Sequence, residues 1–338
     1  MRVLVVRVGA MGDVLHALPA VAALRRARPE WEIGWAVDAR WAPLLESARG
    51  ARPVVDRVHL TETGQWKRAP ISMETGRSVA RLRREMRAGK YDVAVDMQGT
   101  IRSGVIGQMA GAGGVAGYAD PREGVAGWMY GRRWQRRGAH VVEQGCGLLG
   151  EAVGVELVPG LVELPVDARA EMWADGVLAG VGRFCLIAPT AGWGAKMWPA
   201  ERFGQVAREL AGAGYRVLVN AAGAQDGVAA EVVRASDGRA EAVVSTVAEM
   251  TALVRRASVV IAGDTGPLHL GAALGRPVVG LFGPTDPARN GPFGTRARVL
   301  RSPVSVTDYR RTAPTEAGLM EIGAEVVVGA AMEMLNPV

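Results

Sequence analysis

Cysteine, histidine and lysine are scarce in this 338-residue chain, and each scarcity removes a class of chemistry. Cys146 and Cys185 are the only two cysteines and have neither redox nor metal-ligand spacing, so two buried thiols in a reducing compartment are expected. None of the four histidines is paired with a second ligand at metal spacing, which argues against a built-in metal site. Tyr and Phe number only five and four, and no base-stacking motif is visible, so nucleic acid is not an expected partner. Apolar runs such as Val3-Leu4-Val5-Val6 are strand-sized, short of the roughly 18–20 residues that a spanning helix requires. The amino terminus enters a strand directly, without the pattern of a signal peptide. No G-x-G-x-x-G follows any strand, which speaks against a dinucleotide oxidoreductase.

What is present is unevenly distributed. The net charge is +6, yet residues 1–160 carry 23 Lys+Arg against 16 Asp+Glu, while residues 161–338 carry 17 against 18. The positive excess therefore belongs to the first half. It suits a large anionic partner such as an acidic glycolipid or a membrane surface, or else it reflects helices solvated by arginine.

Strands alternate with helix-length segments throughout, the pattern of doubly wound parallel α/β sheets. The spacing predicts strands near 2–8, 32–37, 92–96 and 114–117, and helices near 13–27, 71–88, 101–110 and 139–153. Residues 154–164, with Pro159-Gly160 inside, read as a linker. A second series follows: strands at 183–188, 216–221, 258–262 and 278–281, helices at 199–213, 226–235, 248–256 and 265–273, and a last helix over 316–335. The expected organisation is a first Rossmann-like domain at 1–158, a second at 159–315, and a terminal segment 316–338 returning to the first. Two such domains imply a cleft, with ligands beyond the carboxyl ends of the strands.

Two turns carry the chemistry. In Val259-Val260-Ile261-Ala262-Gly263-Asp264-Thr265-Gly266-Pro267-Leu268-His269 a strand gives way to a helix whose first N–H groups lack intrahelical partners, at the positive end of its dipole. That is a ready site for a phosphate or pyrophosphate, with His269 one turn in; the plainer alternative is a capped helix after a parallel strand. Asp13 follows Gly12 at the end of the first strand, as an N-cap or as a general base presented to the cleft. Lys196, one of three lysines against 37 arginines, ends a small-residue loop after a strand. Its compact charge suits a phosphate, although a surface lysine would look the same. Together these pieces suit a nucleotide-diphosphate sugar whose departing diphosphate is neutralised on the second domain while Asp13 deprotonates an acceptor hydroxyl. Attack opposite the leaving group would invert configuration, and no metal, Mg²⁺ included, is required if amides and Lys196 carry the charge.

The set Met11-Gly12-Asp13-Val14-Leu15-His16, Tyr91-Asp92-Val93-Ala94-Val95-Asp96-Met97-Gln98-Gly99, Lys196-Met197-Trp198-Pro199, Asp264-Thr265-Gly266-Pro267-Leu268-His269 and Gly283-Pro284-Thr285-Asp286-Pro287 resembles the ADP-heptose:lipopolysaccharide heptosyltransferases. These are inverting glycosyltransferases of the GT-B fold, and the resemblance, nearest to the heptosyltransferase I branch, covers essentially the whole chain. It implies that Asp13 is the catalytic base, beside Gly12, and that Lys196 contacts donor phosphate and heptose. It further implies that Thr190 lines the phosphate loop, that Asp264 binds heptose hydroxyls, and that the amides of Thr265 and Gly266, with His269, bind the diphosphate. Where the family has an acid for the donor ribose this chain has Gly227, so the preceding Asp226 is expected there. The implied donor is ADP-heptose and the implied acceptor a Kdo residue of Kdo-lipid A, held by Lys67, Arg68, Gln98, Arg102 and Arg122. The implied location is the cytoplasmic face of the inner membrane, in peripheral contact. Transfer to an inner-core heptose is the near alternative, a sugar-nucleotide epimerase the alternative of another class, and a non-catalytic binding protein the last.

Overall fold

Every strand pairing among the described residues is parallel, so the connections cross over a sheet face and helices cover both sides. Residues 1–180, 182–310 and 315–336 are described in this computed structural model, and contacts divide the chain into units Met1–Pro165 and Val166–Val338. The division falls a few residues beyond the expected boundary at 158.

The first unit holds β1 (Arg2–Val6), β2 (Glu32–Asp38), β3 (Arg57–Thr61), β4 (Val93–Asp96), β5 (Val115–Tyr118) and β6 (Arg132–Trp134), in the order β3-β2-β1-β4-β5-β6. Its helices are α1 (Met11–Ala27), α2 (Thr63–Arg68), α3 (Met73–Ala88), α4 (Ile101–Met109) and α5 (Val141–Val153). Strand β1 is central because Val3, Leu4, Val5 and Val6 are all fully buried, the run expected of a strand covered on both faces. Leu82 and Met86 of α3 and Ile106 of α4 pack on the face that carries Leu4, Val6 and Ala94.

The second unit holds β7 (Phe184–Ala188), β8 (Arg216–Ala221), β9 (Ala240–Val244), β10 (Val259–Gly263), β11 (Val278–Leu281) and β12 (Ala297–Leu300), in the order β12-β11-β10-β7-β8-β9. Counted from its own first strand, this is the order of the first unit again. The helices are α6 (Ala168–Val177), α7 (Ala200–Gly212), α8 (Gly227–Ala235), α9 (Val247–Arg256), α10 (Gly266–Ala273), α11 (Pro287–Asn290), α12 (Ala317–Glu321) and α13 (Ala324–Leu335). In each unit the strand order reverses between the first and fourth strands, β1 and β4 or β7 and β10. Crossovers leave that boundary in opposite directions and open a crevice at the carboxyl ends.

Two expectations need correction. The terminal segment, expected to return to the first domain, contributes α13 to the core of the second unit. Val327, Ala330, Ala331 and Leu335 of α13 join that core with Phe203, Val206 and Leu210 of α7. The segment is also not one helix, because it breaks at Ile322 and Gly323, where the Ile322 carbonyl accepts hydrogen bonds from Trp198 Nε1 (3.1 Å) and Arg202 Nη1 (2.8 Å). The strands the periodicity missed, β3, β6, β9 and β12, flank the central four on the outer sides of the two sheets. Except in β3, they bury little and carry charged residues in their runs.

Candidate active site

At the end of β1 the chain turns through residues 7–10 into α1, whose N-cap is Ala10. Asp13 is therefore not the cap but the third helical residue, and its Oδ2 accepts from the Ala10 N–H at 3.1 Å. A carboxylate in the first turn is favoured by the helix dipole. Its Oδ1 pairs with Arg7 Nη2 at 2.8 Å, and the side chain remains 36% exposed. Gly12 precedes it in the same turn. Arg7 escaped the sequence reading. Its Nε donates to the Asp13 carbonyl at 3.2 Å and its Nη1 to the Met97 carbonyl, so one guanidinium ties together both sides of the β1/β4 boundary. The available signal was its place as the first charged residue after the buried run of β1.

Across that boundary, Asp96 ends β4 fully buried. Burial pushes its pKa up, and bonds from Tyr130, Gly99, Ser103 and Gln98 offset this only in part. Gln98, expected to contact acceptor, turns inward: its amide bonds the backbone of Val8 and Gly9. The other acceptor candidates are exposed at the same edge, because all carboxyl ends of a parallel sheet lie on one side. Lys67 and Arg68 end α2, after β3, beyond a Trp66 whose Nε1 donates inward to Ser78 Oγ. Arg102 lies on α4, after β4. Arg122 follows β5 against Gly99, where a Cβ would come within 3.0 Å of the Arg122 nitrogen. Gly99 also has φ +75°, so the turn requires glycine on both counts.

In the second unit the β7–α7 loop is anchored by Trp198, which is buried and bonded to Ile322, with Pro199 as the N-cap of α7. The Lys-Met-Trp-Pro spacing thus pins one side of the loop and presents Lys196. The Lys196 ammonium lies 2.5 Å from Asp264 Oδ2 and 4.5 Å from the centre of the Trp193 ring. Trp193 is a second residue the sequence reading did not assign a role. Thr190 is half-buried at the start of this loop. Thr265 caps α10, and with Pro267 lacking an N–H the free donors of its first turn are those of Gly266 and Leu268.

Three of the donor assignments change. Asp264 is buried, and its two oxygens are occupied, one by Lys196 and the other by His269 Nε2 at 2.8 Å. Burial alone would raise its pKa, but the His269 hydrogen bond and the charges of His269 and Lys196 hold it well below the usual carboxylate range. It therefore fixes Lys196 and His269 rather than presenting a free acceptor to a sugar. His269, expected to reach the anion, has that nitrogen engaged by Asp264. Asp226, expected at the ribose, is the N-cap of α8. Its carboxylate accepts from the N–H groups of Ala222, Val228 and Ala229 at 2.8, 3.0 and 3.2 Å.

Among the described residues no group of three or more His, Cys, Asp or Glu side chains could hold a metal ion. Cys146 and Cys185 are free and buried, and burial pushes both thiols up to about 12.

Comparison with known proteins gives one consistent result. The sequence model of glycosyltransferase family 9 (heptosyltransferase) matches residues 79–317. Lipopolysaccharide heptosyltransferase 1 of Escherichia coli K12 is 28% identical over 90% of this chain and 94% of its own length. The Pseudomonas aeruginosa protein of the same name is 29% identical over 87% and 82%. Lipopolysaccharide heptosyltransferase 2 of Salmonella typhimurium aligns over only 38% of this chain, at 30% identity. Among solved structures, the E. coli heptosyltransferase WaaC with ADP matches at TM-score 0.81 and 25% identity, over 99% of this chain and 100% of that one. A UDP-GlcNAc 2-epimerase from Neisseria meningitidis reaches TM-score 0.52 at 10% identity over 99% of this chain and 91% of that one, and shares the fold alone.

Proposed function

Since the chain belongs to glycosyltransferase family 9, a family of heptosyltransferases, we propose that it transfers heptose from ADP-heptose to a Kdo residue of Kdo-lipid A, with inversion. One observation carries this reading. The same point of the same topology holds a solvent-accessible carboxylate, Asp13, in the first unit and an ammonium beside a helix amino terminus, Lys196 and α10, in the second. A sugar transfer needs those two kinds of group: one to accept a proton, the other to neutralise a departing diphosphate.

In this mechanism Asp13 takes the proton of the acceptor hydroxyl as its oxygen bonds the anomeric carbon. The bond from that carbon to the phosphate oxygen breaks on the opposite side, and ADP leaves with the electron pair. Lys196, the amides at the start of α10 and Thr190 receive the growing negative charge. The basic side chains Lys67, Arg68, Arg102 and Arg122 suit the carboxylates and phosphates of the acceptor, and the basic first half suits an anionic membrane surface. Trp128, 84% exposed in the segment that follows Arg122, is a side chain suited to an interface of that kind. Among the described residues no helix is long and apolar enough to cross a membrane.

The test offers ADP-heptose with Kdo₂-lipid A, with a heptosylated core, or with no acceptor, and follows products by mass and NMR. One heptose added to Kdo₂-lipid A is the expected result. Transfer only to the heptosylated core moves the enzyme one step along the series. A rearranged sugar nucleotide formed without acceptor identifies an epimerase and overturns the proposal.

A further inference from the structure

Gln98 commits its carboxamide to the loop that carries Asp13. Oε1 accepts from the N–H groups of Val8 and Gly9 at 3.0 and 3.3 Å, and Nε2 donates to the Gly9 carbonyl at 2.6 Å. The β1–β4 ladder ends where Met97 N–H bonds the Val6 carbonyl at 3.0 Å. The Gln98 side chain thus continues the pairing past the end of the sheet, into a stretch where main-chain rungs have stopped.

Gln98 is itself held rigidly. Asp96 Oδ1 accepts from the Gln98 and Gly99 N–H groups at 2.8 and 3.1 Å, and Oδ2 accepts from Ser103 Oγ at 2.8 Å and Tyr130 OH at 2.6 Å. A fully buried carboxylate with four such bonds has little freedom to move. One residue earlier, the Met97 carbonyl receives Arg7, whose other nitrogen pairs with the Asp13 carboxylate. Residues 97 and 98 therefore hold the loop before Asp13 through one attachment and its carboxylate through another.

We propose that Gln98 is a positioning residue for the transfer, fixing the loop so that the Asp13 carboxylate meets the acceptor hydroxyl in reacting geometry; this rests on Asp13 being the base. The consequence is catalytic because a displacement of about 1 Å at a proton-accepting atom costs about a hundredfold in rate.

The experiment compares Gln98→Ala, Gln98→Glu and Asp13→Asn in the full chain, recording kcat, KM for each substrate, ADP affinity by calorimetry and Tm. Gln98→Ala is expected to lower kcat about 10- to 100-fold, with both KM values and ADP affinity within about threefold of wild type. Gln98→Glu keeps the side-chain volume and the acceptor oxygen for Val8 and Gly9 but loses the donor to Gly9; it is expected to fold with near-native Tm and to lose kcat about fivefold. That variant keeps the question answerable if the alanine variant does not fold. Wild-type kcat in a folded variant, alongside an inactive Asp13→Asn enzyme, overturns the proposal. So does a raised acceptor KM at unchanged kcat, which would make Gln98 an acceptor ligand. If Asp13→Asn itself retains turnover within about tenfold, the base assignment fails instead, whatever the Gln98 variants show.

Discussion

At the β1/β4 boundary of the first unit a carboxylate faces outward, while at the matching β7/β10 boundary of the second a carboxylate faces inward. Asp13 keeps 36% of its side chain exposed, and its partner Arg7 is itself tied to the Met97 carbonyl. Asp264 is 8% exposed and holds Lys196 and His269 on its two oxygens. One topology thus places an exposed acid in the first unit and a cation held on a buried acid in the second. Asp13 stays exposed beside an arginine that also holds backbone, whereas Asp264 is sequestered under the cation it holds. The topology creates the crevice, and the side chains that flank it decide its sign.

If the two crevices divide the work in this way, removing Asp13 and removing Lys196 should fail differently. Asp13→Ala is expected to lower kcat by about a hundred- to ten-thousandfold while calorimetric ADP affinity stays within about twofold, because a base acts mainly in the transition state. Lys196→Ala is expected to weaken ADP affinity and kcat together, each about tenfold or more, because its charge meets the diphosphate both before and during departure. Matching profiles from the two variants would erase the distinction between the units.

Asp264 sharpens the comparison within the second unit. Asp264→Asn keeps the shape but removes the charge that opposes Lys196 and His269, and should cost about 3 kcal/mol of stability in denaturant titration. As the holder of Lys196, it should lower affinity for ADP and for ADP-heptose by the same factor. If it were instead a ligand of heptose hydroxyls, ADP-heptose binding alone would weaken.

These differences mark what the sequence can reveal. The crevices were legible because a buried β-branched run, a turn of small residues and a helix start form a local pattern, which placed Asp13, Lys196 and the start of α10 at carboxyl strand ends. The four central strands of each sheet were legible for the same reason. What remained hidden was the occupancy of polar atoms by distant partners. Gln98 meets Gly9 across 89 residues and Asp264 meets Lys196 across 68, separations at which no periodicity operates. Asp226 is a different case, since an Asp before Gly227-Val228-Ala229 carries a local N-cap signature, outweighed here by the resemblance. Beta-strands β6 and β12 were missed because three or four residues with arginine among them do not form an apolar run.

The smallest expected effect separates the two units by acid. In the first, His59 of β3 is buried with Nε2 2.6 Å from Tyr91 OH, and burial, with the Arg57 charge, pushes its pKa down to about 4 from 6.5. An unfolded chain binds that proton near pH 6.5 and the folded one only near 4, so folding loses stability as pH falls through this window and the loss levels off below it. Asp264 in the second unit has the same sign in a lower window. Its depressed pKa gives stability that persists above the ordinary carboxylate value and disappears only under stronger acid. His59→Gln keeps a partner for Tyr91 but cannot titrate, and the raised carboxyl of Asp96 is common to both proteins and cancels in their difference. The stability gap between wild type and His59→Gln, measured by urea titration at pH 7 and pH 4.5, should therefore shift by about 2–3 kcal/mol in favour of the variant at the lower pH. A gap that does not move with pH would mean that the imidazole already carries its proton in the folded first unit, and the contrast between a neutral buried base there and an ionised buried pair in the second would collapse.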